Sequence, residues 1–444
     1  MTASNWTRRN VIAGGTALAV TASITAPITA APITAAIAGA PRRLFPKDFI
    51  WGTATAAHQV EGNNTNSDWW LLETVPGTII KEPSGAACDH YRRYPQDIAT
   101  IAKLGLGSYR FSIEWARIEP TAGHYDIRQL DHYRDMLRVC RSHGLHTVVT
   151  LHHFTSPAWL AARGGFEDPA TVAAFTAYAE AVVRHCGDLI DTLCTFNEAN
   201  LSFSDFIPAT ALAPMLDGAK QTSGSPAYRS YLFDDSARSK PIVRACHVAA
   251  RRAIKTIRPN LPVGLTLAMS DIQDAPGAPG AGIAERSKRY DVWLELARGD
   301  DFVGVQNYTR ERFDTKGSIP PPAGTVRTQL DQEYYPAGLA GAVRYAASIA
   351  RTPILVTENG IGTEDDTLRA RYITEALSGL QECVAAGIDV RGYWHWSAMD
   401  NFEWLFGYGP KFGLIAVDRV SQVRTMKPSA AVFSAIARAN ALPA

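Results

Sequence analysis

Eight β-prone segments recur along the chain, at 49–57, 108–115, 146–153, 190–197, 262–269, 301–308, 353–358 and 390–397. Stretches with helical periodicity lie between them. In "QLDHYRDMLRVCRSHG" (129–144), Leu130, Tyr133, Leu137 and Cys140 repeat at the spacing of one helix face, and Gly144 is placed to end the helix. In "DPATVAAFTAYAEAVVRHCG" (168–187), Asp168 is placed to cap, Pro169 suits the first helical position, and Val172, Phe175, Ala179, Val182 and Cys186 line one face. Eight strands alternating with helices favour an α/β chain folded as a single (β/α)8 barrel over an open doubly wound sheet. A chain of 444 residues with 46% hydrophobic residues can fill such a core as one unit, and no second domain is apparent.

The polar residues follow a pattern. Gln59, Arg110, His153, Asn197, Glu198, Tyr308, Glu358 and Trp396 all fall at or just past the C-terminal ends of the expected strands. In a (β/α)8 barrel that rim carries the active site. The connections 199–240 and 310–335 are long and poorly patterned, and "DAPGAPGAG" (274–282) is irregular. Long βα loops on that face shape a pocket mouth or are plain surface insertions.

Lys and Arg number 44 against 43 Asp and Glu, with no charge run. Neither nucleic acid nor an anionic membrane is implied as a partner. Ten Trp and 16 Tyr suit a core, and also a cleft in which sugar faces pack on aromatic rings. Cys88, Cys140, Cys186, Cys194, Cys246 and Cys383 are scattered without Cys-x-x-Cys spacing and read as buried free thiols. The first forty residues differ in kind. "TRRNVIAGG" (7–15) sets Arg8 and Arg9 before an uncharged, Ala-rich stretch to Ala40. The pattern predicts a twin-arginine signal peptide over 1–40, with the barrel over 41–444, export from a bacterial cell, and transient contact with the export machinery. An uncleaved anchor is the alternative, weakened by Pro27 and Pro32.

Two stretches carry the chemistry. In "TPILVTENGIG" (352–362) a buried strand ends on Glu358, and in "LCTFNEAN" (193–200) another ends on Glu198. A carboxylate at the mouth of a core strand is costly unless it is paired or used. Two such groups facing one cleft suit glycosidic-bond hydrolysis, in which one protonates the leaving oxygen and the other stabilises or attacks the anomeric carbon. The paired His152 and His153 raise a metal-dependent hydrolase as an alternative, but no rim residues complete a ligand set, so neither metal nor cofactor is expected. A carbohydrate-binding barrel without catalysis is a third reading.

The chain resembles glycoside hydrolase family 1, the β-glucosidase family. The stretches that carry the resemblance are "FIWGTATAAHQVEG" (49–62), "NSDWW" (66–70), "CDHYRRYPQDI" (88–98), "LGSYRFSIEWARIEP" (106–120), "TFNE" (195–198), "DFVGVQNYTR" (301–310), "TENG" (357–360) and "GYWHWSAMDNFEWLFGYGPKFGL" (392–414). The resemblance implies a retaining β-glycosidase acting on β-glucosides or short β-linked oligosaccharides, with Glu358 as nucleophile and Glu198 as acid/base, about 5–5.5 Å apart. It implies that Arg110 and Tyr308 support the nucleophile and that Asn197 binds the sugar 2-OH. Gln59, His153, Glu403 and Trp404 would hold the other hydroxyls, with Trp396 as platform. A β-galactosidase or β-fucosidase preference, or sugar transfer, is the alternative on the same scaffold. Three positions depart from the family pattern: Phe154 stands where Trp is usual, Gln306 where Asn is usual, and Ala199 where Pro is usual.

Overall fold

The structure, a computed structural model, describes residues 44–443. The expected signal segment therefore lies outside the described residues. Eight parallel strands close into one barrel: β1 (Ile50–Ala54), β2 (Ser108–Ser112), β3 (His146–His152), β4 (Thr192–Phe196), β5 (Val263–Ala268), β6 (Phe302–Gln306), β7 (Ile354–Asn359) and β8 (Val390–Trp396). Closure comes from β1, which pairs β2 on one side and β8 on the other. All eight expected strands form, most of them shorter at one or both ends, where the rim residues leave the ladder.

Side chains alternate between two layers, as the pleat requires. Val148, Cys194, Phe302, Leu355 and Trp394 fill the barrel interior. Val149, Leu193, Val303, Val356 and Tyr393 face the surrounding helices. The interior is tight at Gly304, where a Cβ would stand 2.5 Å from the Thr266 side chain. All six cysteines are free and buried.

One irregularity matters for function. On β7, Leu355 points inward and Val356 outward. Strict alternation would then send Glu358 outward. The ladder instead shifts register between Val356 and Glu358, so that Val356 pairs with Val305 but Glu358 pairs with Gln306. Thr357 is the extra residue of a β-bulge, and the bulge turns Glu358 back to the inner side.

Two local expectations need correction. Helix Thr171–Cys186 begins two residues after Pro169, because Asp168 accepts from the Ala170 N–H in a turn ahead of the helix. The connections 199–240 and 310–335 are also more ordered than their patterning suggests. The first holds helix Ala209–Ser223, whose buried face is only Leu212, Met215, Gly218 and Ala219 and which carries Pro214, so its apolar stripe is weak. The second forms a hairpin, Arg310–Asp314 with Gly317–Ile319, whose first strand pairs with Asp271–Asp274. That pairing is set by a distant segment and has no local signature.

Candidate active site

Arg110 lies at the centre of β2, deeper than the strand end where the sequence put it, and is completely buried. A guanidinium so placed must find acceptors. Its Nη1 donates to Glu358 Oε1 at 2.6 Å and its Nη2 to Asn197 Oδ1 at 2.6 Å. The ends of β4 and β7 are thereby tied together from below. Tyr308, two residues past β6, donates its hydroxyl to Glu358 Oε2 at 2.5 Å. Both oxygens of Glu358 are thus engaged by donors.

Asn197 Oδ1 also accepts from Gln306 Nε2 at 2.8 Å. With its oxygen held, the amide Nδ2 has no protein partner and is fixed as a donor towards the cleft. Glu198 follows with φ of 43°, a left-handed conformation that a non-glycine residue adopts only when its surroundings enforce it. Its N–H donates to Thr266 Oγ1 at 3.0 Å.

The other wall comes from β1, β3 and β8. Gln59 Nε2 donates to Asn401 Oδ1 at 2.9 Å, to the Phe402 carbonyl at 2.7 Å and, at 3.4 Å, to Glu403 Oε2. Its Oε1 is left without a protein partner. Trp396 Nε1 donates to Glu403 Oε1 at 3.4 Å. The His153 ring stacks near Trp396 at 5.8 Å and near Trp404 at 6.3 Å. The cleft so formed has a carboxylate pair, an aromatic wall and unpaired amide groups, the set of groups a polyhydroxylated ring needs.

The profile of glycosyl hydrolase family 1 matches residues 41–270 and 299–442. The chain belongs to glycosyl hydrolase family 1. It is 31% identical to a β-glucosidase of Agrobacterium sp. over 88% of this chain and 95% of that one. Among solved structures, the β-glycosidase BGL167 is 50% identical, with a TM-score of 0.86 over 90% of this chain and 98% of that one. A β-glucosidase designated 1317 is 43% identical, with a TM-score of 0.85 over 89% and 99%.

The electrostatics of this family 1 site separate its two central carboxyls. Burial pushes Glu198 well above the usual carboxylate range, the nearby Glu358 charge pushes it further, and Arg110 only partly opposes them. Burial raises Glu358 too, but Arg110 and the Tyr308 hydroxyl pull it back. The proton held by the pair therefore rests on Glu198. His153 is driven well below its ordinary value, first by burial and then by Arg110, so its ring is neutral. Burial also raises Glu403 well above the usual range, while the Trp396 and Gln59 donors work against the shift and the charges of Glu358 and Asp400 add to it.

The residues expected at the site gather around this cleft, Arg110 from mid-strand below the rim and the others from the strand ends and the loops beyond them. Three supporting residues were not expected in their roles. Gln306 stands out in the sequence only as a departure from the family pattern, yet it orients Asn197. Asn401 and Thr266 carry no chemical signal of their own. Their importance comes from strand neighbours far apart in sequence. Phe154, also with positive φ, sets its ring against Trp404 at 5.2 Å and so fills the wall without offering a donor.

Proposed function

We propose that the protein is a retaining β-glucosidase that removes terminal non-reducing β-D-glucosyl residues through a covalent glycosyl-enzyme intermediate. The observation that carries this reading is the unequal treatment of two buried carboxyls. Glu358 is held by Arg110 and Tyr308 as the better anion, and Glu198 is left as the proton carrier. Glu358 attacks the anomeric carbon while Glu198 protonates the departing oxygen. The ester then formed at Glu358 removes a negative charge beside Glu198. Its affinity for a proton falls when it must deprotonate water for the second step. Asn197 Nδ2 is the donor for the 2-OH, and Gln59 Oε1, His153, Glu403 and Trp404 take the remaining hydroxyls over the Trp396 platform. The test is the anomer first released from an aryl β-glucoside, followed by NMR. Initial release of the β-anomer supports retention, and initial α-anomer refutes it.

The substrate we infer is an unphosphorylated sugar, with galactosides or fucosides as secondary substrates. A 6-phosphate would add charge beside Glu403, which already feels Glu358 and Asp400. Lys411 is engaged with the Tyr408 carbonyl and Lys427 with Asp400. The twin arginines Arg8 and Arg9 support export of the folded enzyme. Replacing both by Lys should retain the protein inside a host with a twin-arginine system, and equal secretion of that variant refutes the export reading.

A further inference from the structure

The turn that carries Glu198 lacks the proline usual after it and has Ala199 instead. Its near side is fastened to β5. The Ala199 N–H donates to the Thr266 carbonyl at 2.9 Å, and the Asn200 side chain exchanges two hydrogen bonds with the backbone of Ala268. Its far side is fastened chiefly by a lysine from another element. Lys240, the fifth residue of helix Ser236–Ile257, is only 7% exposed. Its Nζ donates to the Leu201 carbonyl at 2.6 Å, and the Leu201 N–H in turn donates to the Glu198 carbonyl at 2.8 Å. The same ammonium sits 4.5 Å from the ring centroid of Tyr231, whose hydroxyl reaches the Ala199 carbonyl at 3.4 Å.

A buried lysine is expensive, and a Met of similar shape would pack as well without the desolvation cost. What the ammonium supplies here is a charged donor to the turn and a cation on the ring that touches it. Burial pulls its own proton affinity down, and the charges of Asp234 and Asp205 hold it up. The chain of bonds runs from Lys240 through Leu201 to the backbone of Glu198, where φ is strained and needs enforcing.

We propose that Lys240 is a positioning residue for Glu198, holding the acid/base carboxyl at the angle from which it donates to the leaving oxygen and later accepts from water. The inference rests on the assignment of Glu198 as acid/base. It makes the far end of the 199–240 connection a support for the acid/base.

The test uses K240M, and the double variant D234N/K240M, which removes the two buried groups that act on each other electrostatically, so that the charge of Asp234 does not obscure the result. With Glu198 misplaced, kcat/KM for an alkyl β-glucoside, whose leaving group needs a proton, should fall about tenfold or more. For 2,4-dinitrophenyl β-glucoside, kcat/KM should stay within about twofold, because that leaving group departs unaided. Its kcat should fall, because the second step needs the base, and azide should restore it. Equal losses on both substrates, or no azide rescue, would show that Lys240 merely supports the fold. No loss on either would equally overturn the proposal. Wild-type protein inactive on both glucosides would instead defeat the glycosidase reading, and the inference with it.

Discussion

Arg110 and Glu358 meet at 2.6 Å, the guanidinium with no exposure and the carboxylate side chain with 5%. A pair this dry would be a poor investment for stability alone, since desolvation of both charges offsets much of their attraction. Its value lies in keeping Glu358 ionised under a ring that becomes positive in the transition state.

The two carboxyl roles make opposite stereochemical predictions. Glu358→Ala should lose nearly all hydrolysis, and azide should then give the α-glycosyl azide from an activated aryl glucoside. Glu198→Ala should still consume the activated substrate, and azide should give the β product. NMR of the products decides, and swapped outcomes would reverse the assignment.

Tyr308→Phe should move the acid limb of the kcat/KM profile to higher pH. The Tyr308 hydroxyl lowers the proton affinity of Glu358, so removing it leaves burial less opposed and the nucleophile protonates sooner as pH falls. Activity at neutral pH should fall about tenfold or more, the scale of one hydrogen bond to a charged group. An unmoved limb would show that Tyr308 does not tune the nucleophile.

Gln306→Ala should weaken the hold on Asn197 without touching either carboxyl. Rates on aryl β-glucosides should fall severalfold, while rates on the 2-deoxy analogue should barely change, because the contact that Asn197 makes is already missing there. Equal losses on both substrates would place the effect in general packing.

A β-glucoside should have the larger kcat/KM against its 6-phosphate, and Glu403→Ser should narrow the gap. A preference for the phosphate in the wild type would overturn the specificity reading. β-Fucosides, which lack the 6-OH, measure how much the Glu403 contact at that position contributes.

How far the sequence could be read depended on range. The barrel was legible because each strand and helix repeats its own period, as Leu130, Tyr133, Leu137 and Cys140 do on helix Ile127–Ser142. Glu198 and Glu358 were legible because a carboxylate ending a core strand is costly. What was hidden is what depends on partners. Arg110 looked like a rim residue, yet it sits mid-strand, because nothing in "SYRFS" tells how deep the barrel runs at that point. The Gln306 to Asn197 bond joins residues 109 apart. Helix Ala209–Ser223 presents too few large apolar side chains to declare itself.

The bulge at Thr357 has a consequence for how this enzyme can be lost. If the same residues paired without the bulge, strict alternation would return and Glu358 would turn from the sugar to the helices. The barrel would keep every strand, every pairing partner and both carboxylates in its sequence. It would lack only the frame that aims one of them. In a lineage of such chains, substitutions around the bulge that let the strand pair regularly would leave intact all the motifs by which an active member is recognised, so reading the motifs would miss the loss while the register between Val356 and Glu358 would show it.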